Sequence, residues 1–278
     1  MLRRPAVAGT WYPADPSRLT ADLRAYLDAA DTAPDDRIVP DDATLIALVA
    51  PHAGLMYSGP VAAHAYRLLR QRTFEAIVIV GPSHYVAFDG VSVWPAGAFA
   101  TPLGNLPIDE RLAADIAAAC SDVVERSDAH AREHSLEMQL PFLAYLAPGV
   151  PIVPLVMGHQ TRETAFALGA AISRAVAAHA PDALLVASSD LSHYEDAATA
   201  ISLDRVVIQH VESLDAEGLM GAIEEEPRHA CGGGPMVSVI EAARKLGATE
   251  ARLLQYADSG DVSGDKSSVV GYMAAAIW

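Results

Sequence analysis

The stretch Ala183-Leu184-Leu185-Val186-Ala187 ends abruptly in the polar turn Ser188-Ser189-Asp190-Leu191-Ser192-His193-Tyr194. Three more apolar runs end in the same way, each in a turn that carries a histidine: Leu45–Ala50, Ala76–Val80 and Pro151–Met157. All four runs are short, rich in Val, Ile and Leu, and without polar alternation, which is typical of strands buried on both faces. The sequence therefore predicts an α/β fold with a largely parallel central sheet flanked by helices.

The segments between these runs carry the signals of helices. Ser58-Gly59-Pro60 is predicted to start a helix that ends near Arg70, since proline is favoured in a first helical turn. Residues 162–179 are predicted as a second helix between two strands, which gives strand–helix–strand units of the usual length. Glu133–Leu146 is also predicted as a helix, interrupted at its proline.

Length and composition limit the class of protein. Thr32–Asp42 is predicted as a loop, and no long linker divides the 278 residues, so residues 1–278 are predicted to form a single domain. No apolar run approaches the ~18–20 residues of a membrane span, and Met1–Pro5 is not followed by the hydrophobic region of a signal peptide. Two cysteines cannot make a disulfide framework, so we expect a cytoplasmic protein. Because no membrane span is predicted, we expect no role at a membrane. Nineteen basic against 35 acidic side chains give a net charge of −16, which argues against nucleic-acid binding.

The histidines after the predicted strands indicate a metal site. His52 and His84 each follow a buried strand within a few residues, and the carboxyl ends of parallel strands lie at the same edge of a sheet. Imidazole is the commonest metal ligand in proteins, so this edge is expected to bind an ion. The alternative is that both side chains cap helices or fill hydrogen-bonding gaps.

Asp190 and His193 form a second candidate pair at the same edge. On a turn that enters a helix, their three-residue spacing would place both side chains on one side. Such a pair can supply a metal ligand, a general base, or a carboxylate that orients a histidine. The alternative is an aspartate that caps a helix beside a surface histidine.

Cys231 precedes three glycines and Pro235, which are predicted to open a helix. A helix N-terminus is expected to lower the pKa of this thiol, and a thiolate is either a nucleophile or a soft metal ligand. The alternative is a buried apolar residue beside a flexible turn. Glu133-His134-Ser135-Leu136-Glu137 is a dense polar cluster, which is interpreted as acidic capping at a helix start.

Six ordered motifs resemble those of one protein family. They are Ala8–Tyr12, Ala50–Gly54, Gly81–His84, Glu133–Met138, Ser188–His193 and Cys231-Gly232. In this order they resemble the Memo-like family, whose bacterial and archaeal members are also called AmmeMemoRadiSam system protein B. The family is similar in fold to the class III extradiol dioxygenases, and the resemblance spans nearly the whole chain.

The resemblance implies a metal pocket with His52, His84 and Cys231 as ligands, and with Asp190 and His193 beside them as acid–base groups. The implied ion is iron or copper, with zinc as a further candidate. A cysteine replaces the carboxylate ligand of the dioxygenases, which shifts the preference toward softer metals. The residues expected to line the pocket are Trp11, Tyr12, Tyr57 and Glu137.

Three functions follow from this site. The first is a metal-dependent oxidoreductase of dioxygenase type, in which His193 moves a proton and Asp190 orients it. The second is a non-catalytic module that binds copper or iron, or that docks a peptide or partner protein. The third is a cysteine hydrolase with Cys231 as nucleophile and His193 or His84 as base. A small molecule or peptide is the expected occupant of the pocket, and the resemblance implies a radical enzyme as partner.

Overall fold

The computed structural model describes residues 1–32, 39–40 and 43–278, so most of the loop predicted at Thr32–Asp42 lies outside the described residues. The described strands are β1 (Leu2–Arg3), β2 (Ala47–Ala50), β3 (Ile77–Pro82), β4 (Val91–Val93), β5 (Ala98–Thr101), β6 (Gly104–Pro107), β7 (Val123–Glu125), β8 (Ile152–Met157), β9 (Leu184–Ser188), β10 (His193–Glu195), β11 (Ala251–Asp258) and β12 (Val269–Ile277). The described helices are α1 (Pro16–Thr32), α2 (Leu55–Tyr66), α3 (Glu110–Ala119), α4 (Ser127–Ala131), α5 (Leu140–Leu146), α6 (Arg162–His179), α7 (Ala197–Glu212), α8 (Ala216–Glu225), α9 (Gly233–Lys245) and α10 (Gly260–Ser263).

The larger of two sheets has the strand order β10-β12-β2-β9-β3-β8-β4-β7, and β11 pairs with β12. Its four central strands, β2, β9, β3 and β8, are parallel to one another. The neighbours β12 and β4 pair with this centre in the antiparallel direction, so the sheet as a whole is mixed. The central strands are the four apolar runs, and every residue in them is buried. The predicted α/β class is confirmed.

The helices cover the sheet as the sequence predicts. Helix α9 packs on β9 and β3 and contacts α6, whereas α2 packs on β2 and β12 and contacts α1. The register between β2 and β9 places Ala50 beside Ser188, so the turns that follow these two strands begin side by side. No helix in the described part of the chain is long and apolar enough to cross a membrane.

Two predicted helix boundaries are wrong. Helix α2 begins at Leu55 rather than Ser58. Two contacts stabilise this earlier start: the side chain of Leu55 is buried, and its N–H, which has no partner within the helix, donates to the carbonyl oxygen of Trp11. Pro60 consequently lies inside the helix. The segment Glu133–Leu146 is not one helix: a 3₁₀ turn spans Glu137–Gln139, and α5 starts at Leu140 with its proline in the first turn, where no N–H is needed.

The turn after β9 leads into strand β10, not into a helix. His193 pairs with Val270 of β12, and α7 starts only at Ala197. The prediction that Asp190 and His193 share one side of a helical turn is therefore wrong. The relative position of Asp190 and His193 is determined instead by the pairing of β10 with β12 at the edge of the sheet.

His130 is buried at the junction of the large sheet with the smaller sheet β1-β5-β6. Its ring lies near the rings of Trp94 and Phe99, and its Nε2–H donates to the carbonyl oxygen of Ser92 at 3.1 Å. Burial and, to a smaller extent, the charge of the neighbouring Arg3 together lower the pKa of His130 to about 4. The histidine is therefore held neutral in the folded chain.

We predict that this burial makes stability depend on pH. The unfolded chain binds a proton at His130 below the ordinary pKa of 6.5, whereas the folded chain binds it only near pH 4. Protonation therefore favours unfolding, and stability is lost as the pH falls from 6.5 to 4. A shift of this size corresponds to about 3 kcal/mol.

Urea unfolding of the His130→Gln variant across this pH range should show a smaller loss of stability than the wild type, because glutamine does not titrate. The matched control is His159→Gln, since His159 is 60% exposed. Equal pH dependence in the wild type and in His130→Gln would contradict the prediction.

Candidate metal centre

Two turns and one helix start bring the predicted ligands together. His52 follows β2, His84 follows β3, and Cys231 precedes α9. Their ligand atoms all lie within 4.8 Å of one another, and His52 Nε2 is 3.2 Å from the Sγ of Cys231. The structure thus brings together residues that are up to 179 positions apart in the sequence.

Backbone contacts fix the position of Cys231. Its N–H donates to the carbonyl oxygen of Asp190, and the N–H of Gly232 donates to Ser189 Oγ at 2.9 Å. A Cβ atom at Gly232 would lie 2.6 Å from the carbonyl oxygen of Ser188, so only glycine permits this approach. The close approach explains why the cysteine is followed by glycine.

A chain of hydrogen bonds fixes the tautomer of His52. Ser188 Oγ donates its single proton to the carbonyl oxygen of Ser135 at 2.6 Å and accepts from Gln139 Nε2 at 2.7 Å. The hydroxyl can therefore only accept from His52 Nδ1, which lies 2.9 Å away. Nδ1 carries the proton, and Nε2 is left with a free lone pair beside Cys231.

A carboxylate fixes the tautomer of His84 in the same sense. Glu133 Oε1 accepts from His84 Nδ1 at 2.8 Å, and Oε2 accepts from the His84 backbone N–H at 2.6 Å. Oε1 also accepts from the backbone N–H groups of His134 and Ser135. Burial raises the pKa of Glu133, but these hydrogen bonds outweigh burial and lower it to about 2. Glu133 is therefore an anion that only accepts, so His84 Nδ1 carries a proton and Nε2 is the ring nitrogen that faces the other ligands.

The three donor atoms fit a metal ion. Ligands at about 2.0–2.3 Å from a tetrahedral ion lie roughly 3.5 Å apart, which is close to the observed separation of His52 Nε2 and Cys231 Sγ. Metal-bound histidines usually donate their second N–H to a carboxylate or another acceptor, as both histidines do here. Within the described residues, His84, Glu133 and His134 form a second group of potential ligands, but Glu133 already accepts four hydrogen bonds.

The environment of Cys231 differs from the expectation for a helix N-terminus. Helix α9 begins only at Gly233, and the thiol lies beside the buried Asp190. Burial raises the pKa of Cys231 far above its ordinary value, and the negative charge of Asp190 raises it further. The predicted lowering of this pKa is wrong, which weakens the interpretation of Cys231 as a free nucleophile.

Asp190 and His193 both lie at this edge but do not bond to each other in the described structure. Asp190 Oδ1 accepts from the backbone N–H groups of His52 and Ala53, at 2.7 and 3.3 Å. His193 Nδ1 donates to the carbonyl oxygen of Leu191 at 2.9 Å. Burial raises the pKa of Asp190, and the neighbouring His193 opposes this rise. Asp190 therefore shapes the turn that carries His52, and His193 presents its Nε2 as an acceptor.

His134 belongs to the site but was interpreted as part of a helix cap. Its ring stacks on His84, with centroids 4.4 Å apart, and lies 4.3 Å from the ring of Trp11. Burial, together with the smaller effect of the nearby His52, lowers the pKa of His134 to about 4. A glutamate-rich cluster resembles a helix start in sequence, and only its contact with strand-end residues identifies it as part of the centre.

Glu137 anchors the N-terminal segment, residues 1–14. Its buried carboxylate pairs with Arg3 and accepts from the N–H of Ala6 at 2.7 Å, the N–H of Val7 at 3.0 Å and the hydroxyl of Tyr12 at 2.7 Å. This anchoring sets the loop that carries Trp11 against His134. Tyr57, in the first turn of α2, is half-buried and lines a cleft together with Trp11.

Fold and site together define an α/β protein with a candidate His₂Cys metal centre. The sequence model of the family described as "Memo-like protein" matches residues 3–276. The chain therefore belongs to the Memo-like family, as the motifs indicated.

Relatives match over the whole length of the chain. The MEMO1 family protein MTH_45 of Methanothermobacter thermautotrophicus is 41% identical over 276 residues, which is 98% of this chain and 99% of that protein. A MEMO1 family protein of Sulfolobus acidocaldarius is 40% identical over 284 residues, with 99% and 98% coverage. The crystal structure of the uncharacterized protein JW3007 from Escherichia coli K12 superposes with a TM-score of 0.52 at 15% identity, covering 82% of this chain and 99% of that one. This last likeness bears on the fold alone.

We predict that the residues behind the two histidines control metal affinity. Ser188→Ala and Glu133→Gln should each weaken binding of Co²⁺ or Zn²⁺ by about 10- to 100-fold, because the ring tautomers are no longer fixed. The measurement is competitive titration against a chelator. The control for Glu133→Gln is Asp89→Asn, which makes the same chemical change in the exposed pair with His159. Unchanged affinity in folded Ser188→Ala and Glu133→Gln would contradict this account of the tautomers.

We also predict that Glu137 holds the N-terminal segment in place. Glu137→Gln leaves the buried Arg3 without an anionic partner, which should cost about 3–5 kcal/mol and speed amide exchange at Ala6 and Val7. Asp28→Asn, in the exposed pair with Arg70, should cost at most about 1 kcal/mol. Equal costs for the two variants, or unchanged amide exchange, would contradict the prediction.

Proposed function

We propose that this protein binds one transition-metal ion, iron or copper, through His52, His84 and Cys231, and that the centre acts as a metal-dependent oxidoreductase of dioxygenase type. One observation carries the proposal: Ser188 and Glu133 hold both imidazoles in the tautomer that leaves Nε2 free, in a group that also includes the Cys231 thiol. A hydrogen-bonding role alone would not require both rings to present the same nitrogen.

The bound ion would supply an electron-pair acceptor and a redox centre beside the substrate. The protein would supply the proton chemistry. His193 is half-exposed, and its Nδ1–H is occupied by the carbonyl oxygen of Leu191, so its Nε2 is the nitrogen that accepts a proton from a small molecule. The negative charge of Asp190 would stabilise the imidazolium formed on His193, since the two groups interact electrostatically.

A second candidate function is metal binding without turnover, and the thiol favours it. The usual non-haem iron site has two histidines and a carboxylate, whereas a thiolate ligand selects copper(I) or zinc. With Cys231 in the third position, the same centre would hold a soft ion as cargo or as a structural element. This candidate shares the ligands of the first and differs only in whether a substrate is converted.

We predict that anaerobically purified wild-type protein contains stoichiometric metal, and that His52→Ala and Cys231→Ser lose most of it, because each removes one of three ligands. Elemental analysis measures the content. The matched control is Cys120→Ser, which changes the buried cysteine after α3 and should retain metal. Equal metal content in folded His52→Ala, Cys231→Ser and wild type would contradict the proposed site.

Oxygen uptake separates the two candidate functions. Metal-loaded wild-type protein should consume oxygen with a catechol or related aromatic substrate, and His193→Gln should slow turnover while retaining the metal. Full metal content without oxygen uptake across such a panel would overturn the oxidoreductase proposal and leave metal binding in place.

A further inference from the structure

A cleft of about 440 Å³ is lined by the N-terminal loop and by residues of α1 and α2, and none of the three candidate metal ligands lines it. Four aromatic side chains line it: Trp11, Tyr12, Tyr26 and Tyr57. Its volume is within the range of small-molecule sites in proteins. Trp11, Tyr26 and Tyr57 pack against the hydrophobic core and remain partly exposed, so their rings are accessible to a ligand in the cleft.

A carboxylate without a partner also lines this cleft. Asp22, on α1, is half-buried, and no hydrogen bond or ion pair to its carboxylate is present among the described residues. Its charge acts on Tyr26, whose pKa is raised by burial and then by Asp22. A half-buried anion beside aromatic rings loses part of its hydration, which is unfavourable when no counter-ion replaces the water. A bound cation would supply that counter-ion.

Aromatic rings and a carboxylate are the groups that recognise organic ammonium ions. The negative face of an aromatic ring attracts a cation within about 6 Å, most strongly for tryptophan, and quaternary ammonium groups bind in such aromatic cages. The net charge of −16 adds a long-range attraction for cations. Among the described residues, Arg18 is the one cationic side chain that lines the cleft; it is exposed and lies on the same helix, one turn before Asp22.

We propose that this cleft binds an organic ammonium ion, in particular an alkylated ammonium group, between Trp11, Tyr26 and Tyr57 with Asp22 as its counter-ion. Trp11 lines the cleft and also lies 4.3 Å from His134, whose ring stacks on His84. The ligand would therefore bind next to the outer wall of the metal centre. The proposal uses none of the metal ligands and does not depend on the proposed function.

Three probes that share a trimethyl-substituted head group and differ in charge test the proposal. Choline carries a trimethylammonium group, 3,3-dimethyl-1-butanol replaces it with an uncharged tert-butyl group, and pivalate carries a tert-butyl group and a negative charge. Calorimetric titration of the full chain should give saturable binding of choline, at least tenfold tighter than of the alcohol, and no binding of pivalate. Equal binding of choline and the alcohol, or no saturable binding of choline, would overturn the proposal.

Two variants on α1 should act in opposite directions. Asp22→Asn should weaken choline binding about tenfold, whereas Arg18→Gln should strengthen it, because one removes the counter-ion and the other removes a competing cation. Asp28→Asn makes the same charge change on the same helix at a side chain outside the cleft, and it should have no effect. Preferential pivalate binding that is lost in Arg18→Gln would identify an anion site and overturn the proposal.

Trp11→Leu tests the aromatic contribution. This variant should lose choline binding, while its circular dichroism and its unfolding transition show whether the chain still folds. Tyr26→Phe retains the ring and should bind choline within a few-fold of wild type. Weaker choline binding in Asp22→Asn and loss of binding in Trp11→Leu, together with normal metal content, would support the cleft even if the oxidoreductase proposal fails.

Discussion

The structure of the candidate centre depends on the buried segment 133–139, which lies between α4 and α5. Alternate residues of this segment bond to different parts of the molecule. Glu133 accepts from His84, Ser135 and Gln139 bond to Ser188, and Glu137 pairs with Arg3. A helix could not bond to all of these partners. Its side chains would point in different directions around the helix axis, and its backbone carbonyl groups would accept hydrogen bonds within the helix.

Hydrogen bonds made by its own side chains offset the unfavourable free energy of burying polar groups in this segment. Burying an ionised carboxylate is unfavourable unless it is fully hydrogen-bonded. Glu133 accepts four N–H groups, two of which belong to His134 and Ser135, whose backbone would otherwise be unsatisfied in a non-helical turn. Glu137 likewise accepts from four donors. The same bonds that make burial of the charges tolerable also orient His84 and the N-terminal segment.

The sequence predicts the sheet well and the centre only in part. Strands β2, β3, β8 and β9 were predictable because their residues are apolar on both faces, and a parallel sheet then places His52 and His84 at one edge. The role of Glu133 was not predictable from local pattern, since an acidic cluster before an apolar run looks the same whether it caps a helix or binds a strand-end histidine. The pairing of Glu137 with Arg3 spans 134 positions and leaves no local signal.

Exposure shows from which side a ligand can reach the centre. His52 is 1% exposed and Asp190 is 3% exposed, whereas the side chain of His84 is 28% exposed. The ring of Tyr85 lies 5.7 Å from that of His134, and Tyr194, which follows His193, is 77% exposed and has a φ of 63°. A left-handed backbone is unfavourable for tyrosine, and such conformations concentrate where a site requires a particular geometry. Because Tyr194 directly follows His193, this turn places an exposed aromatic ring beside the histidine that we propose as the proton acceptor.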